Sequence, residues 1–107
     1  MNIIQNYIDG KKTNISENYL DVFDPSTGEK ISKVVLSGNE DFNKAIISAK
    51  NSQLTWANTT PLKRSRILQK YKTLLENNIQ ELAELVSKEH GKTIEDAKGS
   101  VTRGIEV

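Results

Sequence analysis

Along the first third of the chain, apolar residues come in short clusters separated by turn signals. Asp9-Gly10 lies between Tyr7-Ile8 and Lys11-Lys12, and this dipeptide favours the two positive φ values of a tight hairpin turn. The segments YLDVF and KISKVVL then flank DPSTGE, where Pro25 presets φ and Gly28 permits a left-handed residue. The pattern predicts two small β-hairpins, or one meander, within residues 1–36.

After residue 36 the period changes to that of a helix. Phe42, Ala45, Ile46, Ala49, Gln53 and Trp56 recur at helical spacing, with N-cap candidates in Ser37 to Asn39, which predicts a helix with one buried face. Thr60-Pro61 supplies a cap and a proline at the first helical position. The run it opens carries Ile67, Leu68, Tyr71, Leu74 and Leu75 on one side. Asn78 to Glu81 reads as a capping box, so a break is expected near Asn77-Asn78, with a new helix bearing Ile79, Leu82, Leu85 and Val86. Gly91 should end that helix, and Lys88 and His90 sit in its last turn, where the dipole favours positive charge. Thr93 then caps a final helix whose stripe of Ile94, Ala97, Val101 and Ile105 has spacings of 3, 4 and 4. No Gly or Asn follows the last apolar positions, so the pattern stops in mid-course, and we expect the chain to be the front part of a longer protein.

Composition narrows the chemistry. The 107 residues are 36% hydrophobic and 27% charged, ordinary for one globular domain. Fifteen Lys and Arg against 14 Asp and Glu leave a net charge of +1, so no overall field favours nucleic acid or an anionic membrane, and neither is expected as a partner. No apolar run approaches the roughly 20 residues of a membrane span, and the start resembles neither a signal peptide nor an Arg-rich leader, which reads as cytoplasmic. There is no cysteine and a single histidine, so thiolate nucleophiles, disulfides and His or Cys metal clusters are excluded from these residues. No Gly-rich phosphate loop occurs either. We therefore assign this chain no catalytic residue, no metal site and no cofactor-binding residue of its own.

Several residues admit a chemical and a plain reading. Lys63, Arg66 and Lys70 share a helical face within the densest basic run, but only Tyr71 interleaves and it lies on the apolar side, so we read a solvated face. Trp56 is in phase with Phe42 and Ile46, which points to packing, and His90 has a structural reason to stand at a helix end. Arg103 lies nearly opposite the apolar stripe, on a face with Asp96, Gly99 and Glu106. Spacing alone favours an exposed arginine paired with Glu106; the alternative is a guanidinium that clamps a carboxylate, with Gly99 and Gly104 leaving room.

In order, NYIDGKK, DVFDPSTGEKISKVVL, TTPLKRSRIL, ELAELVSKEHGKTIEDAKG and RGIEV resemble the amino-terminal part of an NAD-dependent aldehyde dehydrogenase. The PxTGE turn and Glu89-x-Gly91-Lys92 are family-wide, while PLKRSRIL with EHGKTIEDAKG and RGIEV resembles the methylmalonate- and malonate-semialdehyde branch, whose members acylate coenzyme A. The resemblance implies an α/β fold, of which residues 1–107 would form the outer part of the cofactor domain. A β-hairpin region over 1–36 would precede a helical region over 37–107. It implies that Arg103 binds the substrate carboxylate, and that the longer parent uses NAD and coenzyme A on a small semialdehyde, is a homo-oligomer and relies on a cysteine absent here. This chain alone would bind neither cofactor and would be inactive. Ser100 departs from the acid usual after Gly99, and Gln53-Leu54-Thr55 departs from the usual aromatic run. The other readings are an enzyme of another acidic aldehyde, such as succinate semialdehyde, and a free-standing α+β interaction module.

Overall fold

The computed structural model describes residues 2–107. Five short strands, β1 (Asn2–Ile4), β2 (Asn6–Ile8), β3 (Lys11–Thr13), β4 (Tyr19–Phe23) and β5 (Lys30–Val35), precede four helices, α1 (Asn39–Asn58), α2 (Pro61–Asn77), α3 (Ile79–His90) and α4 (Ile94–Glu106). The chain divides into two compact units: the strands with α1, and residues 24–29 with α2 to α4.

In the first unit, β2 and β3 form the hairpin expected at Asp9-Gly10, pairing Ile8 with Lys11 and Asn6 with Thr13. Both turn residues have positive φ, 53° at Asp9 and 73° at Gly10, a twist that matches that of the flanking strands. The second hairpin pairs β4 with β5, with a register shift between Val22 and Phe23 and an ion pair of 2.7 Å from Lys30 to Asp21. Beyond the two hairpins, β1 joins β5 in parallel, giving the sheet order β1-β5-β4. This pairing matches Asn2 with Ser32, and no turn chemistry between such distant residues announces it.

Gly38 is the N-cap of α1, and the third helical residue, Asp41, does more than cap it. The buried carboxylate of Asp41 accepts the N–H of Ile15 at 2.6 Å and of Ser16 at 3.1 Å, and that of Gly38 at 3.4 Å. One side chain thus ties the loop after β3 to the helix start. The Ile15 N–H is the main cause holding this carboxyl below the ordinary Asp range; burial opposes the shift, and the Ser16 and Gly38 N–H groups and the Lys44 ammonium reinforce it. The apolar stripe expected to be buried on α1 is largely open in this chain: Phe42 is 63% exposed and Trp56 39%. A stripe records what a helix can bury, and nothing within this unit covers it fully.

In the second unit, residues 24–29 form the turn predicted from Pro25 and Gly28. The Gly28 N–H donates to Asp24 O at 2.7 Å and the Asp24 N–H to Glu29 O at 2.8 Å, while Gly28 takes φ 75°. Thr60 caps α2 through the Lys63 N–H, with Pro61 at its first position. The break at Asn78 falls where expected but is built differently. Its backbone stays near the helical region, at φ −116° and ψ 19°, and its side-chain amide donates backwards to Leu74 O at 2.7 Å. No capping box forms, because an extended residue is needed to turn the side chain toward the next helix. Helices α3 and α4 pack on each other, and each carries one fully buried alanine, Ala83 and Ala97.

Asp41 gives a pH signature with a definite sign. A carboxyl with a lowered folded-state pKa stabilises the fold above its unfolded value, and that contribution is lost as pH falls through the folded value. Thermal melts of the chain should therefore lose midpoint temperature on acidification below about pH 4. Asp41→Asn should melt lower at neutral pH and show a shallower acid dependence, with differential scanning calorimetry as the measurement.

Candidate functional site

The only residue singled out for chemistry, Arg103, stands on α4, and the position of α4 is set by how α3 ends. Gly91 closes α3 with φ 85° and ψ 4°, its N–H donating to Ser87 O at 2.8 Å. A Cβ at Gly91 would lie 2.9 Å from Pro25 Cγ, closer than real side chains approach. Glycine is thus required twice, by its left-handed backbone and by the proline against it. The Ser87 hydroxyl donates to Lys92 O at 2.7 Å, holding the next residue as well. Thr93 then caps α4, accepting the Asp96 N–H at 3.2 Å.

One turn further along, three side chains meet. Ser100 Oγ accepts the Lys92 ammonium at 2.9 Å and Arg103 Nη2 at 3.2 Å, and its own hydroxyl donates to Asp96 O at 3.3 Å. Lys92 and Ser100 are half-buried and Arg103 is exposed. The plain reading of Arg103 as a partner of Glu106 does not hold. Among the described residues, the ion pairs are Lys30 with Asp21 and an exposed Lys72 with Glu76 at 4.0 Å, and neither involves Arg103 or Lys92. The i+3 spacing brings Glu106 to the same face, but the guanidinium turns back along the helix to the hydroxyl at i−3. Lys92 was not legible as part of this group, since it lies in the connection before α4, eight residues from Ser100, outside any helical period.

The two glycines of α4 are not explained by packing within this unit. A Cβ at Gly99 would meet only Arg103 Nη1, at an ordinary 3.5 Å, and one at Gly104 would meet nothing within 4 Å. Near the second, a cleft of about 370 Å³ opens between α2 and the end of α4, lined by Leu68, Tyr71, Leu75, Gly104, Ile105 and Val107 among others. Arg103 does not line it. Tyr71 and Leu68 are each 59% exposed.

Two substitutions test this local account. Gly91→Ala should lower the unfolding free energy by about 1–3 kcal/mol, from the left-handed backbone and the displaced Pro25 together. Gly99→Ala, where a methyl fits, should raise it by about 0.5–1 kcal/mol through helix propensity. Urea unfolding followed by circular dichroism reads both.

The aldehyde dehydrogenase family profile matches residues 12–107. The chain is 43% identical over 106 residues to a malonate-semialdehyde dehydrogenase of Pseudomonas aeruginosa, covering 99% of this chain and 21% of that protein. It is 39% identical over 92 residues to an acylating, mitochondrial methylmalonate-semialdehyde dehydrogenase of Arabidopsis thaliana, covering 86% of this chain and 15% of that protein. A crystal structure from Sinorhizobium meliloti, provisionally assigned as a methylmalonate-semialdehyde dehydrogenase and complexed with NAD, is 44% identical and superposes with a TM-score of 0.96, over 99% of this chain and 22% of that one. The α/β fold expected from the resemblance is therefore the fold of the matching region there. The chain spans about a fifth of the length of the curated relatives it matches.

Proposed function

This chain belongs to the aldehyde dehydrogenase family, and we propose that it forms the amino-terminal part of an NAD-dependent, CoA-acylating dehydrogenase that oxidises malonate or methylmalonate semialdehyde. The observation that carries this reading is the 43% identity to a malonate-semialdehyde dehydrogenase along 99% of the chain. The exposed apolar faces of α1 and α2 agree with a part that packs within a longer polypeptide, which we read as a cytoplasmic homo-oligomer.

The residues described do not themselves fit a dinucleotide. The first turns of α1, α3 and α4 carry Glu40 and Asp41, Glu81, and Glu95 and Asp96, whose charges oppose a pyrophosphate, and α2 opens on Pro61 with Thr60 as its cap. NAD and coenzyme A are accordingly assigned to other residues of the parent, as is the thiol nucleophile, since this sequence has no cysteine. The part left to this chain is recognition. Arg103 offers a planar fork of donors, and a carboxylate held by it gains a two-point, charge-assisted contact. Its present hydrogen bond goes to a neutral hydroxyl, which leaves the charge and the remaining N–H donors of the fork for an anionic carboxylate.

In the parent enzyme, Arg103→Ala should reduce kcat/KM for malonate semialdehyde by about 2–5 kcal/mol in transition-state terms, chiefly through KM. An uncharged aldehyde of similar size should lose far less, and Arg103→Lys should recover part of the loss. Steady-state kinetics on both substrates decides the matter. Equal losses would mean that Arg103 holds the helix and does not recognise substrate.

A further inference from the structure

We propose that Lys92 is the second cation of the anion site at Arg103, so that a small carboxylate bridges the Lys92 ammonium and the Arg103 guanidinium across the Ser100 hydroxyl. The inference rests on the reading of Arg103 as a carboxylate-binding residue and adds a second recognition group to it.

The argument begins with the saturation of Ser100. Its oxygen has two lone pairs, one facing Lys92 at 2.9 Å and the other facing Arg103 at 3.2 Å, and its proton is given to Asp96 O at 3.3 Å. A neutral hydroxyl therefore holds two positive groups together and compensates the charge of neither. Among the described residues no carboxylate lies within ion-pair distance of either cation. Lys92 is half-buried, where an unpaired charge is less favourable than at full exposure.

The donors are also held ready. The carbonyl of Lys92 is fixed by the Ser87 hydroxyl at 2.7 Å, between the left-handed Gly91 and the cap residue Thr93. An ammonium has three donors and a guanidinium five, and each spends one on Ser100. A carboxylate entering between them finds free N–H groups on both sides, one oxygen for each cation, and removes the repulsion between them. An uncharged analogue gains neither effect. Ser100 matters because it is neutral: an acid at position 100 would pair with Lys92 from within and take this second cation out of the site, leaving Arg103 to act alone.

The test is a titration of the 107-residue chain with malonate, following the side-chain ¹⁵N resonances of Lys92 and Arg103, with malonamide as the uncharged control. Both resonances should move along one saturation curve with malonate and stay still with malonamide. Lys92→Met, which keeps the apolar stem, should weaken malonate binding about tenfold, the order of one charge-assisted contact. Ser100→Asp should weaken it at least as much, and both variants should keep the wild-type circular dichroism spectrum. If malonate moves Arg103 alone and Lys92→Met binds as tightly as wild type, the proposal is overturned while the reading of Arg103 stands. If malonate moves neither resonance, the proposal is overturned, and the kinetics of Arg103→Ala in the parent enzyme decide the reading of Arg103 separately. The wild-type titration decides between these outcomes even where a variant does not fold.

Discussion

The left-handed residue at Gly91 fixes where α4 begins, and through it the places of Lys92 and Arg103. The turn lies between two helices that pack on each other, and it leaves Lys92 one residue before the cap of the next helix. Pro25 stands where a Cβ at position 91 would go. The turn motif near residue 25 and the ExGK motif near residue 91, which look like separate features in the sequence, are two sides of one contact. Loss of glycine there would rotate the start of α4 and move Lys92 relative to Ser100.

What could be read from the sequence was local. Asp9-Gly10, Gly28, Thr60-Pro61, Gly91 and Thr93 each impose a backbone geometry through their own side chain or its absence, and each appears where its chemistry places it. Asn78 was half legible. An asparagine after a helical run signals an interruption, but whether its amide turns forward to cap or back to Leu74 depends on a ψ value that composition does not set. The parallel partnership of β1 with β5 depends on residues far apart in the chain, and the exposure of Phe42 and Trp56 depends on what lies opposite them.

The candidate site divides along the same line. Helical phase put Arg103 on a polar face with Gly99, and Gly99 is its neighbour. Phase also placed Glu106 within reach, yet the guanidinium turns to Ser100. The difference is one of competition. At an exposed i,i+3 position an ion pair is worth only a few tenths of a kcal/mol, so a hydroxyl already anchored on the backbone and on Lys92 competes on equal terms. The role proposed for Arg103 in recognition rests on family resemblance, whereas the contact of Lys92 with Ser100 could come only from three-dimensional placement.

The order β1-β5-β4 also bears on how the chain acquires its shape. The central strand is the last of the three to be synthesised, so neither edge strand has a partner until residues 30–35 are available. The β4–β5 hairpin closes over a short turn and can form at once, whereas β1 must return across a separation of thirty residues, from Asn2 to Ser32, at a larger entropic cost of closure. Non-local pairing of this kind is slow compared with hairpin and helix formation. The first strand of the chain is thus the last to enter its sheet, and a nascent polypeptide carries Ile3 and Ile4 unpaired through the interval.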